Sequence, residues 1–412
     1  MSSTGTNGGN VTAVVGQSGG PTAVINQSLV GVIQEIRRTK HIDNLLGSRH
    51  GVRGVVNEDF IKLNDVTDEL LERIAITPAA ALRSTRDKPD QAYCEKIFRT
   101  FAKNNVRYFF YIGGNDSADT ARIVSDLAKA EKHPLQVFHI PKTIDNDLRV
   151  HDHTPGYGSA ARFVAHAMLG DNYDNRSLPG IKIDVLMGRN AGYLTAAAAL
   201  ARQFDEDGPH LIYIPEQPLS KEQFLSDVDR IYSNRGRCLI AVSEGVVQPD
   251  GRTWFEHLAE SYDRDSHGNL QLSGSGELGD YLAALVSKEL KPAGGKKLRV
   301  RADTFGYIQR SFPDSVSDVD AREARMVGQM AVRYSMERDK EGSVAMRRVA
   351  GGEYKVEYFL TPLSTVAKET RRMDPSFYEN GNDVTQAFID YAKPLIGTMP
   401  RTGSFDELKN GK

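Results

Sequence analysis

Cysteine is almost absent from this chain of 412 residues: Cys94 and Cys238 are its only two. Two thiols over such a length exclude a disulfide framework and fit a reducing compartment. Each reads as a small buried hydrophobe. Long hydrophobic runs are lacking as well. No apolar stretch approaches the ~18 residues of a membrane span, so no membrane partner is expected. A basic excess is also missing. The formal net charge is -2, and nucleic acid as the main partner usually needs a basic face. That total does not exclude small anions, because a local cationic pocket barely moves it. The start, Met1 to Asn10, is polar and small, without the basic and apolar segments of a targeting peptide, and reads as a flexible tail. These absences point to a cytoplasmic protein. What is present is ordinary for a globular chain, with 40% hydrophobic and 26% charged residues. The length allows two or three domains.

Strand-like apolar runs alternate with helical stretches. Strands are expected at Val11 to Val15, Val106 to Ile112, Leu135 to Ile140, Ile183 to Met187, Leu211 to Ile214 and Cys238 to Val242. Helices are expected from near Pro21, over Ala118 to Lys132, over the Ala-rich Asn190 to Gln203, and over Phe224 to Tyr232. This alternation predicts an α/β fold, a parallel sheet with helices on both faces. Candidate boundaries lie at His151 to Gly158 and Asp263 to Gly279. Farther on, Ser343 to Val349 and Glu353 to Phe359 flank Gly351-Gly352, a two-residue hairpin signal. Asp383 to Leu395 reads as a helix, and the last dozen residues as a loose end. No repeat of solenoid period is present.

The most informative stretch is Pro141-Lys142-Thr143-Ile144-Asp145-Asn146-Asp147. It follows an apolar run, so its two carboxylates and its lysine stand at the carboxyl end of a buried strand, where open α/β sheets bind ligands. A base, a charge partner and a cation in one loop suit proton abstraction from a hydroxyl during phosphoryl transfer. A capped loop, with the aspartates bonding backbone N–H groups, is the alternative. Two glycine turns have similar placement. Gly16-Gln17-Ser18-Gly19-Gly20 would let backbone amides approach an anion, although a tight structural turn reads equally well and no Walker lysine follows. Gly113-Gly114-Asn115-Asp116-Ser117 adds hard oxygens suited to Mg²⁺, with an ordinary N-cap by Asp116 or Ser117 as the alternative. Met187-Gly188-Arg189 and Ser243-Glu244-Gly245 stand at two further strand ends. Arg299, Arg301 and Arg310, spaced around Gly306-Tyr307-Ile308-Gln309, read as a phosphate-ester clamp or as a solvated charged strand. Gly274-Ser275-Gly276-Glu277-Leu278-Gly279 imitates a dinucleotide fingerprint, but no firm strand precedes it and no acid follows at the right distance.

Taken together and in this order, these motifs resemble the phosphofructokinase family from about Val11 to Arg310 and on toward the hairpin. The resemblance implies two similar Rossmann-like three-layer domains with mostly parallel sheets and the active site in the cleft between them. The boundaries expected are 1-155 plus about 309-360 for a donor domain, 156-308 for a sugar-phosphate domain, and 361-412 for a C-terminal helical extension. It implies Mg²⁺-dependent phosphoryl transfer to the 1-hydroxyl of fructose 6-phosphate, a step of glycolysis and gluconeogenesis, by a homodimer or homotetramer. Carried over by motif, Asp145 is the proton acceptor, with Asp147 assisting the base or the hydrated metal. Thr143, Ile144, Met187, Gly188 and Glu244 line the sugar site, and Arg301, Tyr307 and Arg310 hold the 6-phosphate. Arg189 and Arg86 face the transferred group. Gly19 and Gly20 form the donor turn, and Asn115 is the metal ligand.

Departures from the family's ATP-using pattern choose the donor. Asp116 and Lys142 stand where ATP-using members usually carry glycine, and the pair resembles the pyrophosphate-using branch. A carboxylate at Asp116 would meet the first phosphate of ATP with bulk and like charge, whereas Lys142 would neutralise the phosphate that leaves a shorter donor. An ATP-dependent enzyme of the same fold is the alternative. The usual arginine nine residues before Arg189 is replaced by Gly180, for which Lys182 is a candidate substitute.

Overall fold

The structure, a computed structural model, describes residues 10–259, 276–291, 298–337 and 340–405. Among these residues eleven strands build two larger sheets. In chain order they are β1 (Thr12–Gln17), β2 (Asn44–Ser48), β3 (Phe60–Lys62), β4 (Val106–Gly113), β5 (Gln136–Pro141), β6 (Ile181–Leu186), β7 (Leu211–Tyr213), β8 (Cys238–Ser243), β9 (Val300–Thr304), β10 (Gly342–Arg348) and β11 (Val356–Thr361). The chain divides into two compact units, Met1–Tyr157 with Arg310–Arg371, and Gly158–Gln309 with Arg372–Lys412. Segment 361–412, set apart by its sequence as a helical extension, is thus shared between them. The helix Gln386–Ile396 buries Phe388, Ala392, Leu395 and Ile396, and Arg162 Nη1 donates to the Ile396 carbonyl at 2.7 Å. An apolar face that large is not left standing alone in water.

The first unit holds a seven-stranded sheet in the order β11-β10-β5-β4-β1-β2-β3. Its centre is parallel, from β2 through β1, β4 and β5 to β10, and β3 and β11 join antiparallel at the edges. The central strands read as continuous apolar runs because both faces are covered. Ala13, Val15, Phe110, Ile112, Phe138 and Ile140 pack under helices Ile25–Thr39 and Asp318–Ser335. Val14, Phe109, Tyr111 and Val137 alternate with them and pack under Gln91–Lys103 and Asn115–Ala130. Strand succession reverses between β1 and β4, which opens the crevice where such sheets bind ligands.

The second unit holds a four-stranded, wholly parallel sheet, β7-β8-β6-β9. Ile181, Ile183, Val185, Ile240 and Val242 form its core with Phe224 and Val228 of helix Lys221–Arg235 and Leu282 and Val286 of helix Glu277–Glu289.

Several elements differ from the sequence reading. Asn190 to Gln203 is one helical turn, Tyr193–Ala196, followed by a 3-10 turn, Ala197–Ala201. Alanine favours helix, but every residue from Tyr193 to Ala201 is buried, and packing overrides propensity. The hairpin at Gly351-Gly352 is real, but its loop is longer than two residues. Arg348 pairs with Val356, and Val349 N–H bonds the Lys355 carbonyl at 2.9 Å. Asp383–Val384 pairs with Tyr378–Glu379 as a short ribbon ahead of the last helix. Strands β2, β3 and β9 have no counterpart in the expected set. The tail Met1 to Gly9, most of the boundary at Asp263 to Gly279, the first two residues of the imitation fingerprint and the last seven residues lie outside the described residues.

Candidate active site

Three loops leave the carboxyl ends of β1, β4 and β5, which are neighbours in the first sheet. The β1 loop turns at Gly19, whose φ of +76° suits glycine. A Cβ on Gly19 would lie 3.2 Å from Lys142 Nζ, and one on Gly20 would lie 2.8 Å from Arg310 Nη1. Both glycines therefore make room for two cations to close on the turn. Lys142 Nζ donates to the Gly20 carbonyl at 2.7 Å, and the Gly19 N–H donates to the Thr85 carbonyl at 2.9 Å. Ser117 Oγ donates to Ser18 Oγ at 2.9 Å and ties the β4 loop to the β1 loop.

The β4 loop opens helix Asn115–Ala130. Gly114 is its N-cap, without a side-chain cap bond, so neither Asp116 nor Ser117 caps it. Asn115 is the first helical residue, and its Oδ1 accepts from the Asp116 N–H at 2.9 Å. Asp116 Oδ2 lies 3.2 Å from Lys88 Nζ. Nothing in the sequence marked Lys88; its only signal is its place two residues after Arg86.

The β5 loop carries the acids. Lys142 N–H bonds the Gly113 carbonyl at 3.0 Å, so this loop leaves the sheet beside the β4 loop. Thr143 Oγ1 accepts the Asp145 N–H at 3.1 Å, and Thr143 pairs with Gly156 as an isolated bridge. The threonine thus helps make the local turn. Ile144 is buried beside it. Asn146 holds a left-handed φ of 57°, and its Oδ1 accepts the Thr154 N–H at 3.1 Å.

Charge is concentrated here. Burial pushes the Lys142 ammonium down to about 8, the Asp145 carboxylate opposes that fall, and Arg310 and Arg86 add to it. Burial raises the Asp147 carboxyl, and the charge of Asp145 raises it further. Perturbed groups in a crevice are what acid–base chemistry uses. Arg371 holds this loop through four hydrogen bonds, and 224 residues of sequence hid that role.

In the second unit the loops after β6 and β8 meet. Arg189 Nε lies 3.6 Å from Glu244 Oε1, and Ser243 Oγ donates to the Gly188 carbonyl at 2.7 Å. Gln309, in the turn that follows β9, accepts from Met187 N–H at 3.4 Å, and Tyr307 in the same turn is half exposed. Met187, Gly188, Arg189, Glu244 and Tyr307 therefore gather at one sheet edge.

Arg301 does not join them. It is the second residue of β9 and pairs with Lys182 near the start of β6, about five residues or ~16 Å short of Met187. Its place is that of an exposed charged strand. Lys182 is not the substitute phosphate contact either. Its ammonium bonds Asp303 and lies 3.6 Å from Asp171 and 3.7 Å from Asp184. Gly180 cannot carry the usual arginine, because a Cβ there would lie 2.5 Å from the Arg299 carbonyl. Arg310 stands with the donor turn in the first unit, beside Gly20, and not with Arg301.

Glycine turns with cations about them at the carboxyl edge of a parallel sheet are how α/β proteins hold phosphate groups. The chain belongs to the phosphofructokinase family, whose description, Phosphofructokinase, matches residues 12–334. A pyrophosphate–fructose 6-phosphate 1-phosphotransferase of Rhodospirillum rubrum is 54% identical over 385 residues, 93% of this chain and 94% of that protein. One of the same description from Xanthomonas campestris is 36% identical over 403 residues, 95% of this chain and 93% of that protein. The crystal structure of a pyrophosphate-dependent phosphofructokinase from Marinobacter aquaeolei superposes with a TM-score of 0.82 at 30% identity, over 96% of this chain and 94% of that one. Among the described residues no helix is long and apolar enough to cross a membrane.

Proposed function

We propose that this chain catalyses the reversible, Mg²⁺-dependent transfer of a phosphoryl group from diphosphate to the 1-hydroxyl of fructose 6-phosphate. The observation that carries the donor is Lys142, an ammonium buried against the Gly19–Gly20 turn. Such a group suits a short donor that brings no nucleotide for anchorage. The names of the relatives above support the same donor and acceptor.

Asp145 accepts the proton of the sugar hydroxyl as that oxygen attacks one phosphorus of diphosphate. The bond from that phosphorus to the bridging oxygen breaks, and inorganic phosphate leaves. Lys142, Arg86 and Arg189 balance the charge that gathers on the oxygens. Met187, Gly188 and Glu244 orient the sugar with Thr143 and Ile144, while Tyr307 serves its 6-phosphate and Arg310, beside Gly20, adds a cation at the donor turn.

The donor set fits Mg²⁺. It is made of hard oxygens on neighbouring loops, and the two acids of the β5 loop crowd negative charge that a divalent cation would relieve. Asn115 would hold the ion, with Asp147 or Asp116 sharing it, Asp116 being an exposed carboxylate 3.2 Å from Lys88 Nζ. Bound there, it would neutralise diphosphate oxygens. The cluster Asp171, Asp184 and Asp303 is a different place, already served by the Lys182 ammonium.

Arg301, at the amino edge of its own sheet, would serve a second copy of the chain, which makes the working enzyme a homodimer or homotetramer. Absence from the described residues of a membrane-crossing helix fits a cytoplasmic setting. The test is a side-by-side donor assay. Turnover of fructose 6-phosphate with diphosphate and Mg²⁺ should exceed turnover with ATP at least tenfold, and equal use of ATP would refute the donor.

A further inference from the structure

We infer that Arg371 is a positioning residue for phosphoryl transfer, a clamp that holds the loop carrying Asp145 and Asp147 in its reactive shape. The inference rests on Asp145 being the proton acceptor. The clamp includes four bonds. Arg371 Nε donates to the Asn146 carbonyl at 2.9 Å, Nη1 to the His151 carbonyl at 2.5 Å and Nη2 to the Asp152 carbonyl at 2.7 Å. The backbone N–H of Arg371 donates to the Asp147 carbonyl at 2.8 Å. Beside these, Leu148 and Thr370 form an antiparallel bridge.

Two of the four carbonyls belong to the residues that directly follow Asp145. The chain turns there, with Asn146 in the left-handed region at φ 57°. Asparagine tolerates that conformation better than most residues, and here its bonds fix it. Thr154 secures the Asn146 side chain, and Arg371 secures its carbonyl. A planar guanidinium reaches three carbonyls at fixed angles, which an ammonium on a flexible stem does not. Misplacing a catalytic group by ~1 Å costs on the order of 100-fold in rate. Removal of the clamp should therefore act on turnover more than on binding.

The experiment compares Arg371→Lys, Arg371→Ala, Asp145→Asn and the double variant Asp145→Asn with Arg371→Ala in the full chain. It reads kcat, both KM values in the diphosphate assay, and Tm. Arg371→Lys should lower kcat about 10- to 100-fold with KM values within about threefold. Guanidinium ion should restore part of the activity of Arg371→Ala. In the Asp145→Asn background, Arg371→Ala should cost less than about threefold more, because the group it aligns is gone. A normal kcat in Arg371→Lys overturns the clamp, as does a full penalty that persists without Asp145. If Asp145→Asn itself turns over normally, the proton acceptor is wrongly assigned and the clamp falls with it. If that variant is inactive while the Arg371 variants behave as wild type, the clamp alone fails.

Discussion

Exchanging Asp116 for glycine should turn the enzyme toward ATP by a calculable amount. At ~4 Å, two like charges repel by about 4 kcal/mol at an effective dielectric of 20 and by about 1 kcal/mol in bulk water. The Asp116 side chain is 57% exposed and lies 3.2 Å from Lys88 Nζ, so the lower part of that range applies. A relief of about 1–2 kcal/mol corresponds to a 5- to 30-fold rise in the ratio of ATP to diphosphate kcat/KM. Lys142 differs in kind. Its ammonium is buried, so Lys142→Gly removes a charge that solvent cannot replace. Losing one such preorganised donor costs about 3–4 kcal/mol, or 10²- to 10³-fold in diphosphate turnover. Lys88 refines the test. In wild type, Lys88→Met should depress the use of both donors, because Asp116 loses its partner. In Asp116→Gly the same change should have almost no effect. The readout is a coupled assay of fructose 1,6-bisphosphate formation with each donor. A donor ratio that moves less than twofold in a folded Asp116→Gly variant would refute the electrostatic argument, and so would full diphosphate turnover in Lys142→Gly.

Other outcomes follow from the same groups. Asp145→Asn should lower kcat about 10²- to 10⁴-fold and leave KM for the sugar phosphate nearly unchanged, as steady-state kinetics will show. A group deprotonating near 8 loses its charge as pH rises, so kcat/KM for diphosphate should fall on the alkaline side as Lys142 titrates, and in Lys142→Arg that limb should move upward. His153 offers a separate test of stability. Burial pushes its imidazole down, but bonds to Asp152 at 2.8 Å and Glu323 at 2.6 Å overcome this and raise it to about 9. A raised folded value stabilises fully below the unfolded value near 6.5, and that contribution is lost as pH rises toward 9. Thermal melts should show a loss on the order of 3 kcal/mol across this window, absent in His153→Gln.

Much of the first unit could be read from the chain because its central strands are buried on both faces. β1, β4 and β5 are largely apolar runs with glycine or proline at or next to their last residue, so their ends, and the loops beyond, fall where the pattern stops. β2, β3 and β9 were hidden for the opposite reason. β2 has only two leucines before Gly-Ser, β3 has three residues and β9 alternates charge with small side chains, so none carries a long apolar run. Arg301 shows what spacing alone leaves open. It stands among arginines in sequence, yet strand register with Lys182 carries it to the far edge of the sheet. Lys182 shows the same limit, since nothing local announces that Asp171, Asp184 and Asp303 will converge on its ammonium. Gly180 reads as a missing arginine in sequence and as a crowded backbone in space. Contacts from distant chain, such as that of Arg371 with Asn146, leave no trace in composition or period.

The first unit is assembled from two stretches of polypeptide separated by the bulk of the second. Until Gly342–Arg348 leaves the ribosome, β5 has no neighbour on one side, and its bare edge is open to wrong pairing. The newborn amino-terminal portion must wait, partly built, while the intervening portion is made, a circumstance in which chaperones matter most. The acids lie on that waiting edge, and their last tether comes from residue 371. A truncated product therefore holds the reactive groups without the frame that aligns them.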